Sequence, residues 1–246
     1  MSKAGEQGFL AKTGDAGRAH SLSKPFSDAD CGYNLASMGA IMALLPPPPA
    51  RLLDLGCGGG WTSIFLARRG YDVTGQDIAA DMVDLARDNQ AIQGVEGGLQ
   101  FLCSDFEALG MDDQFDAALF FDSLHHAEDE RLAIESAYRA LKPGGILITH
   151  EPGEGHSQSP ESIEAMAHYG VSERDMPPHL IVRRGLEVGF RSYRVLPMPI
   201  HLFSVFYKDR GPLPRFGKQR WLLIRRAWRM LFEPDMALGS IVVMTK

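Results

Sequence analysis

The sequence predicts an α/β protein built on a parallel sheet with helices on both faces. Three observations carry this. Between about residues 50 and 150, short apolar strand-like runs alternate with helix-length segments. The first of those strands runs into the glycine cluster Gly56-Cys57-Gly58-Gly59-Gly60. At 246 residues the chain has room for one large domain with additions. Its 45% hydrophobic and 23% charged residues are those of an ordinary soluble globular protein.

Residues 1–24 are rich in Gly, Ala, Ser and Lys without apolar periodicity and read as a flexible tail, leaving 25–246 as the folded domain. Over 28–45, Leu35, Met38, Ile41, Met42 and Leu45 recur at helical spacing until four prolines at 46–49 stop the helix. A strand is expected at 52–55, a helix at 61–69, a strand at 71–76 and a helix at 79–90. Strands at 99–103 and 115–121 follow, then a helix at 130–141, a Lys-Pro-Gly-Gly turn at 142–145 and a strand at 146–150. Such alternation implies right-handed crossovers. Beyond 150 the pattern predicts helices at 159–169 and 179–188, a strand near 191–196, a strand or short helix at 200–207, a basic helix near 218–232 and a last strand at 240–245.

The formal charge of −6 excludes a globally polybasic nucleic-acid binder, and nucleic acid is disfavoured as a partner. The total conceals an asymmetry. Eight basic residues against Asp209 make the window 208–229 +7, so the remainder sums to −13. Cys31, Cys57 and Cys103 are odd in number and lack metal-ligand spacing, which suggests reduced thiols. No apolar stretch approaches the ~18 residues of a spanning helix, and no leader pattern opens the sequence, so a cytoplasmic location is expected.

In open parallel sheets, ligands bind beyond the carboxyl ends of the strands, where the glycine cluster falls. A dinucleotide fingerprint starting at Gly56 and Gly58 requires its third glycine at position 61, which is Trp61. Asp54, just before the cluster, suits a cationic ligand and opposes a pyrophosphate. Asp77 ends the next strand about twenty residues on, the spacing at which a carboxylate accepts from both ribose hydroxyls. Asp105, with Phe106 beside it, suits the edge and face of an adenine.

With those residues in place, the chain resembles the class I S-adenosylmethionine-dependent methyltransferases. The matching segments are Leu52 to Gly60, Val73 to Ile78, Ser104-Asp105-Phe106, Phe115 to Leu119 and Leu141 to Gly145. The resemblance implies a Rossmann-like, doubly wound, three-layer α/β/α fold with a seven-stranded sheet, mostly parallel, whose last strand is antiparallel. It implies S-adenosyl-L-methionine as cofactor, with Asp54, Gly56, Gly58 and Gly60 around its methionine part. Asp77 would hold the ribose, Ile78 would pack on adenine, and Asp105 and Phe106 would lie near its amino group.

Methyl transfer from a sulfonium is an in-line displacement that needs positioning, and a base only if the acceptor must lose a proton. The fourth strand ends in Phe121-Asp122-Ser123-Leu124-His125-His126 and the fifth in His150-Glu151. His125 or His126 is a candidate base for a hydroxyl, oriented by Asp122 or Glu151. Methyltransferases of this family that act on exocyclic amines of bases or on glutamine usually carry Asn or Asp, then Pro-Pro and an aromatic, after the fourth strand, and cytosine-carbon enzymes use Pro-Cys. Neither is present, so an oxygen acceptor on a small molecule or glycan is favoured. Residues 151–180 read as an acceptor-side lid, with Glu173, Asp175 and Met176 as one wall. Its segments 151–157 and 173–178 resemble methyltransferases found among bacterial polysaccharide enzymes.

Asp122, His125, His126, His150, Glu151 and His156 could also bind a divalent metal. No Glu-x-x-His or His-x-x-x-His spacing places ligands on one element, so no metal is expected. A basic helical insertion is expected at about 208–236, with Trp221, Ile224, Trp228, Leu231 and Phe232 on one side and Lys218, Arg225, Arg226 and Arg229 near the other. Such a helix suits peripheral contact with an anionic membrane. Alternatively, its tryptophan face packs on the domain, or its arginines border the cleft and select an anionic acceptor. The competing functional readings are a nicotinamide-dependent oxidoreductase, opposed by Trp61 and Asp54, and a cofactor-binding relative without catalysis.

Overall fold

The computed structural model describes residues 3–207 and 217–246. Among these, seven strands form one sheet: β1 (Arg51–Leu55), β2 (Asp72–Asp77), β3 (Leu99–Cys103), β4 (Phe115–Phe121), β5 (Leu141–Glu151), β6 (Ser192–Pro197) and β7 (Ser240–Thr245). Their order is β3-β2-β1-β4-β5-β7-β6. The first five are parallel, and β7 runs antiparallel between β5 and β6. The chain therefore has a Rossmann-like topology, and its last strand lies inside the sheet.

Ten helices accompany the strands among the described residues: α1 (Lys3–Gln7), α2 (Phe9–Ser23), α3 (Cys31–Leu44), α4 (Trp61–Arg69), α5 (Ala80–Ile92), α6 (Glu130–Ala140), α7 (Pro160–Tyr169), α8 (Pro178–Val188), α9 (Pro199–Phe206) and α10 (Lys218–Phe232). Because side chains alternate along a strand, the central strands feed two cores. Leu53, Ala118 and Phe120 pack toward Ile134 and Ala137 of α6 and Ile181 of α8. Their neighbours Leu52, Ala117 and Leu119 pack toward Met38 and Ile41 of α3 and Leu66 of α4. Asp129 starts α6 by accepting from the backbone N–H groups of Arg131 and Leu132, as an N-cap does.

The structure departs from the sequence expectations in three places and decides one segment left open. The expected flexible tail is helical over α1 and α2. Leu10 is buried against Met82 and Leu85 of α5, Arg18 pairs with Asp88 at 2.5 Å, and Phe9 meets Tyr169 edge to face at 5.1 Å. These anchors are single residues reaching distant segments, so no local periodicity announces them. The expected turn at 142–145 is absorbed into β5, which starts at Leu141 and shifts register against β4 between Phe115 and Ala117. The ambiguous segment at 200–207 is helical, as α9.

The third departure concerns the basic helix. Within the expected 208–236 insertion, residues 208–216 lie outside the described residues, while α10 is present. Its tryptophan face does not pack on the domain: Trp221 and Trp228 are 58% and 51% exposed, and Ile224 and Phe232 also stand out. Instead Arg225, Arg226 and Arg229 turn toward a cavity of about 530 Å³, walled by Val195 and Pro197 of β6 and by Leu238. No described residue of α10 lines the crevice at the strand ends, so these arginines do not border that cleft.

Candidate active site

A crevice of about 450 Å³ opens over the carboxyl ends of β1, β2 and β4 and the turns that follow β1 to β4. Its floor is the turn between β1 and α4. Gly56 and Gly58 line it, and nothing stands within 4 Å of where a Cβ on Gly58 would project, leaving room for a ligand against the backbone. Gly60 does not line the crevice. It has φ +80 and starts α4, and a Cβ there would meet the Phe101 ring at 2.8 Å. Its role is close packing of the helix start.

Asp54 also lies elsewhere than expected. It is buried, outside the crevice lining, and its Oδ2 accepts from the hydroxyls of Thr62 at 2.5 Å and Ser63 at 2.6 Å. Burial pushes its carboxyl upward while the two hydroxyls oppose that shift. It therefore ties β1 to the first turn of α4 and holds the glycine turn in shape.

Asp77 does face the crevice. Its Oδ2 accepts from Gly58 N–H at 2.8 Å and its Oδ1 from Ala79 N–H at 2.9 Å. Burial raises its carboxyl, and these two bonds lower it. Ile78 and Phe106 form apolar walls, and Phe106 rests edge-on against Phe120 at 5.5 Å. Asp105 caps the short turn Phe106–Ala108 through Glu107 N–H at 2.9 Å. Lys3 of α1 reaches over to pair with Asp105 at 2.5 Å and with Glu107 at 2.9 Å. Lys3, Glu6 and Phe9 thus roof the crevice, a contribution for which the sequence held no signal.

At the other end lies an imidazole and carboxylate cluster. Glu151, the last residue of β5, is fully buried. Its Oε1 accepts from Ser123 N–H at 3.0 Å and Leu124 N–H at 2.8 Å, and its Oε2 lies 2.7 Å from Nδ1 of His125. His125 sits behind the crevice wall, whereas His126 lines it. His126 Nδ1 lies 2.6 Å from the Ser172 carbonyl, an acceptor only, so that nitrogen carries a proton. Burial alone would lower the His126 pKa, but Glu6 and Glu173 outweigh it and push it up to about 9. Glu173 also lines the crevice. Its Oε2 is 2.7 Å from Nε2 of His156 and 3.6 Å from Nε2 of His125. Despite burial, the surrounding histidines, His156 foremost, hold its carboxyl below the usual range.

A second pair flanks this end. Asp122 lines the crevice with φ +49, an uncommon backbone state for a residue other than glycine, and its Oδ1 lies 3.1 Å from Nδ1 of His150. His150 is stacked on Phe121 at 4.4 Å and reaches the Ser37 hydroxyl at 3.0 Å through Nε2.

Residues 53–149, which carry the glycine turn, Asp77, Asp105 and both histidines, match the family model described as a methyltransferase domain. The match covers less than half of the chain and marks these residues as similar to a methyltransferase domain. Among curated proteins, the ubiquinone biosynthesis O-methyltransferase of Xylella fastidiosa (strain 9a5c) is 32% identical over 147 residues, covering 57% of this chain and 55% of that one. The putative methyltransferase YqeM of Bacillus subtilis (strain 168) is 41% identical over 107 residues, 42% of each. The chain spans about half the length of the curated relatives it matches.

Among solved structures, Haemonchus contortus phosphoethanolamine N-methyltransferase 2 in complex with S-adenosyl-L-methionine superposes with TM-score 0.67 at 19% identity, covering 100% of this chain and 60% of that one. The [4+2]-cyclase SpnF does so with TM-score 0.60 at 22% identity, covering 88% of this chain and 82% of that one. At such identities the likeness is one of fold, and a methyltransferase fold that hosts a cyclase shows that the reaction is set by the site. No helix of the described residues is long and apolar enough to cross a membrane.

Proposed function

We propose that the protein transfers a methyl group from S-adenosylmethionine to a hydroxyl of a small-molecule or glycan-type acceptor. The observation that supports this best is that one continuous crevice joins Asp77 and the open face of Gly58 to His126 and Glu173. The residues present fit the cofactor. Asp77 offers a carboxylate to the ribose hydroxyls, Ile78 and Phe106 offer apolar faces to adenine, and the acidic lining favours a sulfonium over a phosphate-bearing ligand. When bound, S-adenosylmethionine supplies a methyl group activated for in-line displacement.

The chain's own residues do the rest. Glu151 fixes the turn bearing His125 and His126, so an acceptor hydroxyl set against His126 and Glu173 meets groups whose orientation is already paid for. His126, which must first lose its own proton because Glu6 and Glu173 push its pKa up to about 9, takes the hydroxyl proton as the oxygen gains the methyl group. The segment from 151 to 180, which contributes Tyr169, Val171 and Glu173 to the crevice, serves as the acceptor-side wall.

Calorimetric titration with S-adenosylmethionine and with NAD(H), followed by labelled-methyl incorporation into phenol, polyol and glycan acceptors, tests the reading. His126→Ala and Glu173→Ala should each keep cofactor affinity and lose about 100-fold or more in turnover. Tight NAD(H) binding without S-adenosylmethionine binding overturns the cofactor assignment. Unchanged turnover in both variants overturns the role of the cluster.

A further inference from the structure

We propose that His125, His126 and Glu173 form a binding site for a divalent transition-metal cation of the zinc class at the acceptor end of the crevice. One ligand atom from each of the three lies within 4.8 Å of the others. The ring chemistry is that of a metal site. His125 gives Nδ1 to the Glu151 carboxylate at 2.7 Å, and His126 gives Nδ1 to the Ser172 carbonyl at 2.6 Å. Metal-bound histidines are held in this way, by a carboxylate or backbone carbonyl on one nitrogen while the other nitrogen carries the metal. With Nδ1 so engaged, each ring presents Nε2 as its ligand atom, and the cation displaces the Nε2 proton that His126 carries at neutral pH.

The spacing supports the same conclusion. His125 Nε2 and Glu173 Oε2 stand 3.6 Å apart, too far for a hydrogen bond between them. Two ligands on one tetrahedral cation, at bonds of about 2.0–2.1 Å, lie about 3.3 Å apart, so a cation needs only a small closure of this gap. His156 Nε2, already 2.7 Å from the same Glu173 oxygen, stands by as a fourth group. Two imidazoles and one carboxylate favour Zn²⁺, Co²⁺ or Ni²⁺ over Mg²⁺ or Ca²⁺, which take oxygen ligands.

His126 and Glu173 line the crevice, so the cation's remaining position faces the space for the acceptor. There it would bind the acceptor oxygen and make the hydroxyl proton easier to lose. This last role rests on the proposed methyl transfer to a hydroxyl; the site itself does not. The expectation of no metal searched for ligands on one element, whereas these come from the turn after β4 and the extended segment before α8.

The test is equilibrium binding of Zn²⁺ to the chelator-treated full chain, with Co²⁺ substitution read by its visible absorption. One equivalent per chain is expected, with cobalt bands of a low-coordinate nitrogen and oxygen site. His126→Ala and Glu173→Gln should each weaken binding at least tenfold, while His168→Ala, an exposed histidine on α7, should not. Glu173→Gln preserves side-chain volume, so it remains informative if a histidine variant fails to fold. Absence of stoichiometric binding, or equal binding by the parent, His126→Ala and Glu173→Gln, overturns the site. Stoichiometric metal with no methyl transfer to any hydroxyl keeps the site and removes the functional reading. Methyl transfer by metal-free protein, undiminished by chelator, keeps the functional reading and overturns the cation's role in it.

Discussion

Glu151 and His125 are joined at 2.7 Å beneath the acceptor end of the crevice, and the same carboxylate accepts the backbone N–H groups of Ser123 and Leu124. One buried side chain from β5 thus fixes the turn that follows β4. Sequence reading placed Glu151 among the candidate catalytic residues. Its geometry is that of a positioning residue.

Replacing it should unfold the site before it slows any chemistry. Glu151→Ala strands three buried N–H groups and one imidazole, at a cost of about 4 kcal/mol. The thermal midpoint should fall by roughly 10 °C, measured by scanning calorimetry, with loss of cofactor binding only near the transition.

Asp77→Ala should behave in the opposite way. The variant loses the charge-assisted bonds offered to the ribose, each worth about 1.5–3 kcal/mol, and its bonds from Gly58 and Ala79 N–H, a local cost at the glycine turn that leaves the core packed. S-adenosylmethionine affinity should fall about 100-fold or more by titration calorimetry, while Asp54→Asn should lower stability first, because Asp54 faces Thr62 and Ser63 rather than the crevice.

The Asp122 and His150 pair gives a pH dependence with a definite sign. Burial would lower the His150 pKa, but Asp122 raises it above its ordinary 6.5. Burial would raise the Asp122 pKa, but His150 holds it below its ordinary 3.8. The His150 contribution to stability is complete below about pH 6.5 and fades as pH rises through the raised value. The Asp122 contribution is complete above about pH 3.8 and fades as pH falls through the lowered one. Urea denaturation of the parent relative to His150→Gln should show an advantage that declines above neutral pH, with a slope no steeper than about 1.4 kcal/mol per pH unit.

The roof over the crevice rests on few contacts. Glu6 accepts from Ser172 N–H at 2.8 Å, and Lys12 donates to the Tyr169 carbonyl. Glu6→Ala combined with Lys3→Ala should increase proteolysis within α1 and α2 and speed cofactor dissociation several-fold, as read by limited digestion and stopped-flow fluorescence. Unchanged protection would mean that Leu10, Phe9, Lys12 and Arg18 suffice to anchor the roof.

The exposed Trp221, Ile224, Trp228 and Phe232 of α10 suit contact with a lipid surface, whereas Arg225, Arg226 and Arg229 turn toward the cavity beside β6. Flotation with vesicles containing phosphatidylglycerol should recover the parent. It should fail for Trp221→Ser combined with Trp228→Ser. Failure of the parent to float removes this contact.

By itself the sequence determined the sheet, the glycine turn, Asp77 at the end of the second strand and the paired histidines after the fourth. Each of these follows from local physics. Alternating apolar runs must be buried, and a backbone that turns into a ligand needs glycine. Tertiary structure alone decided that Asp54 faces inward, that an apparently featureless amino-terminal stretch roofs the crevice, and that His125 and His126 meet Glu173. These depend on contacts between segments far apart in sequence, such as the bond between Glu6 and Ser172, 166 residues apart. No periodicity encodes such a contact, because its partners share no element and meet only when the sheet has brought their loops to one edge.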